Sequence, residues 1–483
     1  MKEAQPAKMS YFFGSGYKDT VEAVKRLWML NASTAQKYSE KSVTHGRMSM
    51  KGIFGFVCAL SIVTFGTAFF IALSGIFVSV LLVFFLGTCI WFLIFWSSDR
   101  VYLLRKRIFS ACHNCKARSM IPTYVCGNCG AKHTNLTPGV YGITKRQCNC
   151  GKKLPSTAFN GRSKLDAECK TCGMSLGDRE TVPICIPVVG GRSVGKTAFI
   201  TAFAKDFIDL VAPLNGWGTA FYNEEKARIY DAIKADYESG STRMTERPLD
   251  INRASSVSFS FFVKSPNFRP DRLVHIYDIA GEVFTDGDEN EIQKQYEYCH
   301  GVVFVIDPFS IDSVLYRHES ELAPVDRGAV GKADLTLVIN TFLNKLRTVA
   351  GLSDKMMLDV PIAVVINKAD SGSLSLEFSD EKIEELRGAH PGKDIKRQDA
   401  LDRLCRQFLA DNGMGGFLNV IDLKFKNNRY FACSAIGHAR GAGAFAPTGV
   451  MTPMEWLFRQ ADSRMRRLWN DTEFSDDPRK IFK

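Results

Sequence analysis

The chain has 483 residues, 46% of them apolar and 23% charged, the balance of folded protein rather than of a disordered chain. At roughly 150 residues per domain, that length suits two or three domains. The net charge of +11 is uneven: residues 1–182 hold 24 Lys and Arg against 9 Asp and Glu, and residues 183–483 hold 38 against 42. The excess positive charge therefore belongs to the N-terminal part alone.

Residues 1–51 are polar, with one amphipathic stretch, "DTVEAVKRLWML" (19–30), that reads as an interfacial helix. From Gly52 to Ser98 there is no Asp, Glu, Lys or Arg. One membrane-spanning helix needs about 20 apolar residues, so this run has room for two. Ser74-Gly75 offers a turn between spans at about 53–72 and 77–96. The preceding polar residues and the lack of a short apolar region with a cleavage site disfavour a signal peptide. Arg47 and Lys51 precede the first span, and Arg100, Arg105, Lys106 and Arg107 follow the second. Basic flanks stay on the cytoplasmic side, so the expectation is a transmembrane hairpin with both termini in the cytoplasm. A single long span would instead put the two flanks on opposite sides.

Residues 108–178 carry eight of the fourteen cysteines as four close pairs: Cys112/Cys115, Cys126/Cys129, Cys148/Cys150 and Cys169/Cys172. Paired thiolates on tight knuckle turns can each supply half of a tetrahedral Zn²⁺ site, so two zinc ribbons are expected, with two Zn²⁺. The simplest pairing is sequential, Cys112/Cys115 with Cys126/Cys129 and Cys148/Cys150 with Cys169/Cys172, although an interleaved pairing is also open. His113 and His133 read as bystanders, and Cys58, Cys89, Cys185, Cys299, Cys405 and Cys433 as small packing residues. The ribbon is basic but lacks the interleaved aromatics that stack on bases, so nucleic acid is not the expected partner. Docking a protein partner or spacing the next domain is.

The next segment, 182–470, opens with a buried strand, "VPICIPVV", followed by "GGRSVGKT". This is a phosphate loop: Gly190, Gly191, Arg192, Ser193, Val194 and Gly195 turn backbone N–H groups inward, Lys196 reaches the β/γ oxygens, and Thr197 ligates Mg²⁺. Three later apolar strands each end in a polar motif. "RLVHIYDIAGE" ends in Asp278, which can hold Mg²⁺ through water, and Gly281, whose N–H can face the γ-phosphate. "PIAVVINKAD" ends in Asn367, Lys368 and Asp370. A carboxylate at 370 can accept from guanine's N1–H and N2–H, which adenine does not offer. "FACSAIG" ends in Ser434 and Ala435, suited to a backbone contact with the base oxygen.

In this order, each after an apolar strand, the four motifs resemble those of the translation-factor-related GTPases, the class of the Ras-like switches. The resemblance spans about residues 183–470 and implies an α/β Ras-like P-loop GTPase fold with GTP/GDP and Mg²⁺. The combination with a membrane hairpin and zinc knuckles is similar to bacterial double-GTPase families linked to predicted conflict systems. That implies a bacterial cytoplasmic-membrane location and a protein partner, either a second GTPase or another copy of this chain.

The sequence departs from the family pattern in three places. The threonine that closes on Mg²⁺ has no clean signature; "GSTRMTERP" (240–248) is the best loop, with Thr245 first and Thr242 next. Glu282 follows Gly281 where many relatives carry a water-orienting glutamine, and a carboxylate beside a γ-phosphate predicts slow unaided hydrolysis. Arg192 either supplies charge in cis or points to solvent. Insertions are expected at 308–335 and 379–410, and residues 471–483 read as a tail. A non-enzymatic membrane scaffold working through its ribbons is the competing expectation.

Overall fold

The computed structural model describes residues 5–112, 115, 117–176, 180–222, 224–240, 258–266, 268–278, 299–322, 330, 334–350, 356–438, 444–466 and 474–475. Thr242, Thr245, Gly281, Glu282 and His113 lie outside them. The chain forms two compact units, residues 1–110 with 119–180, and residues 111–118 with 181–483.

The first unit contains two long helices, α1 (Ser15–Thr44) and α2 (Met50–Arg105). The expected two-span hairpin is overturned, because α2 is one continuous helix of 56 residues that runs straight through Ser74-Gly75. A single glycine costs a helix only about 1 kcal/mol relative to alanine. The dipeptide is thus too weak a signal to stop the helix; only a π turn at Ile62–Gly66 interrupts its regular winding. The two-span, multi-pass topology falls with the hairpin.

A helical hairpin does exist, with its bend earlier, between α1 and α2. Gly46 takes φ +79° in that bend. Ser49 then caps α2 by accepting from the Gly52 N–H at 3.1 Å. α1 runs antiparallel along α2: Ser42 donates to Gly52 O, Trp28 donates to Ser74, and Tyr17 meets Phe85 edge-on. The amphipathic stretch read as 19–30 lies toward the N-terminal end of this 30-residue helix. The most apolar 18-residue window of α2 is nonetheless 0% buried.

The rest of this unit is a set of short strands. One four-stranded antiparallel sheet holds Lys132–His133, Thr123–Val125, Asp166–Glu168 and Ser175–Leu176, in that order. A three-stranded sheet pairs Lys145–Cys148 with Lys153–Pro155 on one side and Ala7–Lys8 on the other. Among them Arg162 is fully buried. Its guanidinium donates to Asp99 on α2 at 2.9 Å, to Glu180 at 2.5 Å, and to the carbonyls of Leu136 and Ser156 at 3.0 Å each.

The second unit is built on a seven-stranded sheet of β1 (Val182–Val189), β2 (Gly218–Phe221), β3 (Ser258–Ser265), β4 (Phe268–Asp278), β5 (Val302–Ile306), β6 (Ile362–Ile366) and β7 (Asn428–Ala432). The spatial order is β2-β3-β4-β1-β5-β6-β7. β4, β1, β5, β6 and β7 are mutually parallel, and β2 and β3 join antiparallel. The central strands have no polar face because helices cover both sides, as parallel sheets require. Alternate residues therefore go to opposite cores: Val303, Val305, Ala363 and Val365 pack with helix α3 (Lys196–Asp206), and Val302, Phe304, Ile306 and Val364 pack with the helices of the other face. Each fully buried Val, Ile or Phe is worth about 1.5–3 kcal/mol, so the strand tips are held by a rigid slab.

Candidate nucleotide site and metal centres

Ligands of open α/β sheets bind at the carboxyl ends of the strands, where neighbouring connections diverge. β1 sits between β4 and β5, and its register sets Val188 beside both Asp278 and Val303. The loop after β1 thus starts level with the Asp278 carboxylate. That loop is wound tightly, with Ser193 at φ +62° and Gly195 at φ +89°. A side chain at 195 would collide with Asn367, because an ideal Cβ there lies 2.4 Å from Asn367 Nδ2. Glycine is needed at this position both for its backbone angle and for the close approach.

Lys196 opens α3 and is buried, with its ammonium donating to Gly191 O at 2.7 Å and Gly190 O at 3.1 Å. These carbonyls hold the charge inside the loop where phosphate oxygens would take over. The next residue, Thr197, donates from Oγ1 to Asp278 Oδ2 at 2.6 Å. A hydroxyl and a buried carboxylate this close form an all-oxygen donor pair that suits Mg²⁺, a hard cation that keeps several of its waters. Arg192 is exposed on the loop.

Asn367, at the tip of β6, joins three segments. Its Nδ2 donates to Val194 O at 3.0 Å, and its Oδ1 accepts from the Ala435 N–H at 3.0 Å. The backbone donor that the sequence suggested for the base oxygen is therefore engaged by Asn367. Ser434 Oγ accepts from Gly437 N at 2.8 Å and closes the turn. Asp370 is half-buried, and it shares the site: burial first, and the Asp370 charge next, push the Cys433 thiol up. Cys433 lies beside Asn367 Oδ1.

Two contributors escaped the sequence reading. Asp307, one residue past β5, is fully buried and its Oδ2 accepts from Lys368 Nζ at 2.6 Å. The signal was present, since "VVFVID" is a further apolar strand ending in a polar residue, like those before Asp278 and Asn367. Tyr237, at the end of the helix Glu224–Glu238, donates its hydroxyl to Ala435 O. No local pattern announces that contact, which spans 198 positions in sequence.

Within the first unit Cys126, Cys129, Cys148 and Cys150 form one set with their sulfurs within 4.8 Å of one another, which leaves Cys112, Cys115, Cys169 and Cys172 as the other four. The sequential pairing is corrected by this, since Cys126/Cys129 meet Cys148/Cys150 and not Cys112/Cys115. Antiparallel pairing of Thr123–Val125 with Asp166–Glu168 sends Cys126 and Cys169 out at opposite ends of the strand pair, and the approach of the Cys150 sulfur to Cys126 and of the Cys148 sulfur to Cys129 is what excludes the sequential set. In the first set Cys126 and Cys150 sulfurs are 3.7 Å apart, and those of Cys129 and Cys148 are 3.6 Å apart. Four thiolates about 2.3 Å from one tetrahedral Zn²⁺ stand about 3.8 Å from each other, so the set fits the ion. The Cys150 thiol is pulled down, first by the Asn128 side chain and next by the Lys152 backbone, whereas burial pushes Cys148 up. The knuckles repeat one hydrogen bond, Gly130 N to Cys126 O, Gly151 N to Cys148 O and Gly173 N to Cys169 O. The short Cys148–Cys150 spacing thus does not prevent a knuckle. His133 is buried and belongs to neither set.

The parallel sheet, the wound loop with Lys196 and Thr197, and the strand-tip motifs together define a P-loop GTPase domain. Residues 184–403 match the family model Double-GTPase 2, so this domain is similar to the double-GTPases. No curated protein matches the chain. Similar solved structures include the GTPase-like domain of Ski7 from S. cerevisiae bound to GTP, at 12% identity, TM-score 0.27, and 60% of this chain against 51% of that one. The signal recognition particle receptor SRb-GTP/SRX complex from Chaetomium thermophilum aligns at 13% identity, TM-score 0.23, covering 54% of this chain and 94% of that one. A bacterial selenocysteine-specific elongation factor aligns at 14% identity, TM-score 0.22, covering 60% of this chain and 29% of that one. The chain thus spans about half the length of the Ski7 chain it matches.

Proposed function

We propose that this protein is a membrane-anchored GTPase switch that binds GTP with Mg²⁺, hydrolyses it slowly alone, and carries two Zn²⁺ in a ribbon adaptor. The observation that carries the reading is Asn367, which ties the phosphate loop at Val194 to the Ala435 turn and stands three residues before Asp370, the residue assigned to guanine in this reading. Thr197 and Asp278 would hold Mg²⁺, which supplies positive charge against the β- and γ-phosphates. Lys196 adds a second cation once phosphate oxygens replace the Gly190 and Gly191 carbonyls. Asp370 accepts from guanine and leaves adenine unpaired. Glu282 puts a carboxylate where relatives carry glutamine, which supports slow unaided turnover and relief by a partner, either a second GTPase or another copy.

The anchor in this reading is α2, whose uncharged run of 47 residues spans about 70 Å at 1.5 Å per residue, more than twice the bilayer's hydrocarbon thickness. In this proposal the basic residues Arg100, Arg105, Lys106 and Arg107 after the apolar run favour a cytoplasmic GTPase domain, and a role in bacterial conflict systems rests on the resemblance of the sequence alone. The test uses the full chain in detergent or nanodiscs, with GTP and ATP affinities and single-turnover hydrolysis measured side by side. GTP should bind much more tightly than ATP, Asp370→Ala should abolish the preference without unfolding the protein, and hydrolysis should be slow but measurable. Equal affinities for ATP and GTP would overturn the assignment. Tight GTP binding with no hydrolysis under any condition would favour the scaffold.

A further inference from the structure

The nucleotide site is gripped from a segment that carries none of its recognised motifs. "NKADSGS", residues 367–373, is the connection that follows β6, and its Lys368 adopts φ +56°, a left-handed angle seldom taken by a residue with a side chain. Something must hold it there. On one side Asp307, fully buried at the tip of β5, accepts from the Lys368 ammonium at 2.6 Å, and its other oxygen accepts from Phe309 N at 3.1 Å. On the other side Glu321 accepts from the Ser373 N–H at 2.7 Å and from its hydroxyl at 2.8 and 2.9 Å. His318 Nδ1 lies 3.0 Å from the same hydroxyl. Gly372 between them has φ +52°, and an ideal Cβ there would stand 2.2 Å from Glu321 Oε2. Asp307 and Glu321 bracket one short stretch, a 3-10 turn at Pro308–Ser310, helix Asp312–His318 and a 3-10 turn at Glu319–Glu321.

A lysine ammonium on a four-carbon stem has many rotamers to lose, whereas an ion pair to an immobile carboxylate removes that freedom before any ligand arrives. Because Asp307 is out of water, the pair is a strong charge-assisted hydrogen bond rather than a screened surface contact. We propose that Asp307, by holding Lys368, and Glu321, by holding Ser373, are positioning residues that pre-organise the guanine-reading loop, so that nucleotide affinity is set from segment 307–321. The inference rests on reading Asn367–Asp370 as the guanine-binding motif. The insertion before the helix Leu335–Ala350 thereby acquires a role, since whatever displaces that segment loosens the nucleotide.

The experiment is a double-mutant cycle on the full chain, with a fluorescent GDP as probe and melting temperature recorded alongside. Asp307→Asn keeps the shape and the Phe309 contact but removes the charge, and should weaken GDP binding about 10- to 100-fold, the range for losing a charged hydrogen bond. Lys368→Met should do the same, and Asp307→Asn should add nothing further in the Lys368→Met background. Glu321→Gln should raise the GDP release rate severalfold while leaving the melting temperature within a few degrees. Wild-type affinity in Asp307→Asn would overturn the proposal. So would an equal loss in both backgrounds, which would mean that Asp307 acts through the fold and not through Lys368. Fluorescent ADP binding as tightly as GDP to the unmodified protein would refute the guanine reading instead, and the cycle would still report on Lys368 positioning.

Discussion

Arg162→Met is the most demanding test of how the first unit is held together. The substitution keeps roughly the same volume but removes donors to four groups, leaving the Asp99 and Glu180 carboxylates behind at 1% and 4% side-chain exposure. Asp99 retains the Ala158 N–H at 2.8 Å, and Glu180 retains the Tyr124 hydroxyl at 3.1 Å. Breaking one buried ion pair by deleting a partner costs about 3–5 kcal/mol. A unit of this size loses about 2–4 °C in Tm per kcal/mol, so the expected drop is about 6–20 °C. The pH dependence has a definite sign. Burial, partly opposed by Arg162, already raises the Glu180 carboxyl above its usual value. A raised native value means that its contribution is complete below the unfolded value and is lost as pH rises through the native one. Without Arg162 the native value climbs further, so the deficit of the variant should be larger near pH 8 than near pH 5. Scanning calorimetry of the full chain in detergent at both pH values reads both effects. The triple variant Asp99→Asn, Arg162→Met, Glu180→Gln should recover much of the loss, because no buried charge remains. An Arg162→Met protein melting within about 2 °C of the wild type at both pH values would refute this reasoning.

Gly195→Ala should abolish nucleotide binding, measured by equilibrium dialysis, because its Cβ would strike Asn367 and the residue must hold φ +89°. Metal analysis should find about two zinc ions per chain, with Cys126→Ser plus Cys148→Ser losing about one and Cys126→Ser plus Cys169→Ser losing both. The sequential pairing would give losses of two for the first double variant. Thr197→Ala should weaken GTP binding in Mg²⁺ but change it little in EDTA, as isothermal titration under both conditions would show.

The parts of the candidate nucleotide site were legible in the sequence because each is a short contiguous motif after an apolar strand, whose backbone geometry is set locally. Glycines at 190 and 195, the Lys196-Thr197 pair, Asp278 and Asn367–Asp370 all belong to this kind, as do the four cysteine knuckles. Pairings between distant segments were decided by the tertiary structure. Which knuckles share a site was decided by the approach of Cys148 and Cys150 to Cys129 and Cys126 across about 20 positions of sequence, and the ion pair of Asp307 with Lys368 joins residues 61 positions apart. The hairpin was misread for the complementary reason. Hydropathy reports that a segment is apolar but not where its backbone bends, and Ser74-Gly75 carried no obligation to turn. The bend lies instead at Gly46, where α1 meets α2 through Ser42, Trp28 and Tyr17. Local chemistry is written along the chain, but the choice of partner waits until folding brings distant surfaces within hydrogen-bond range.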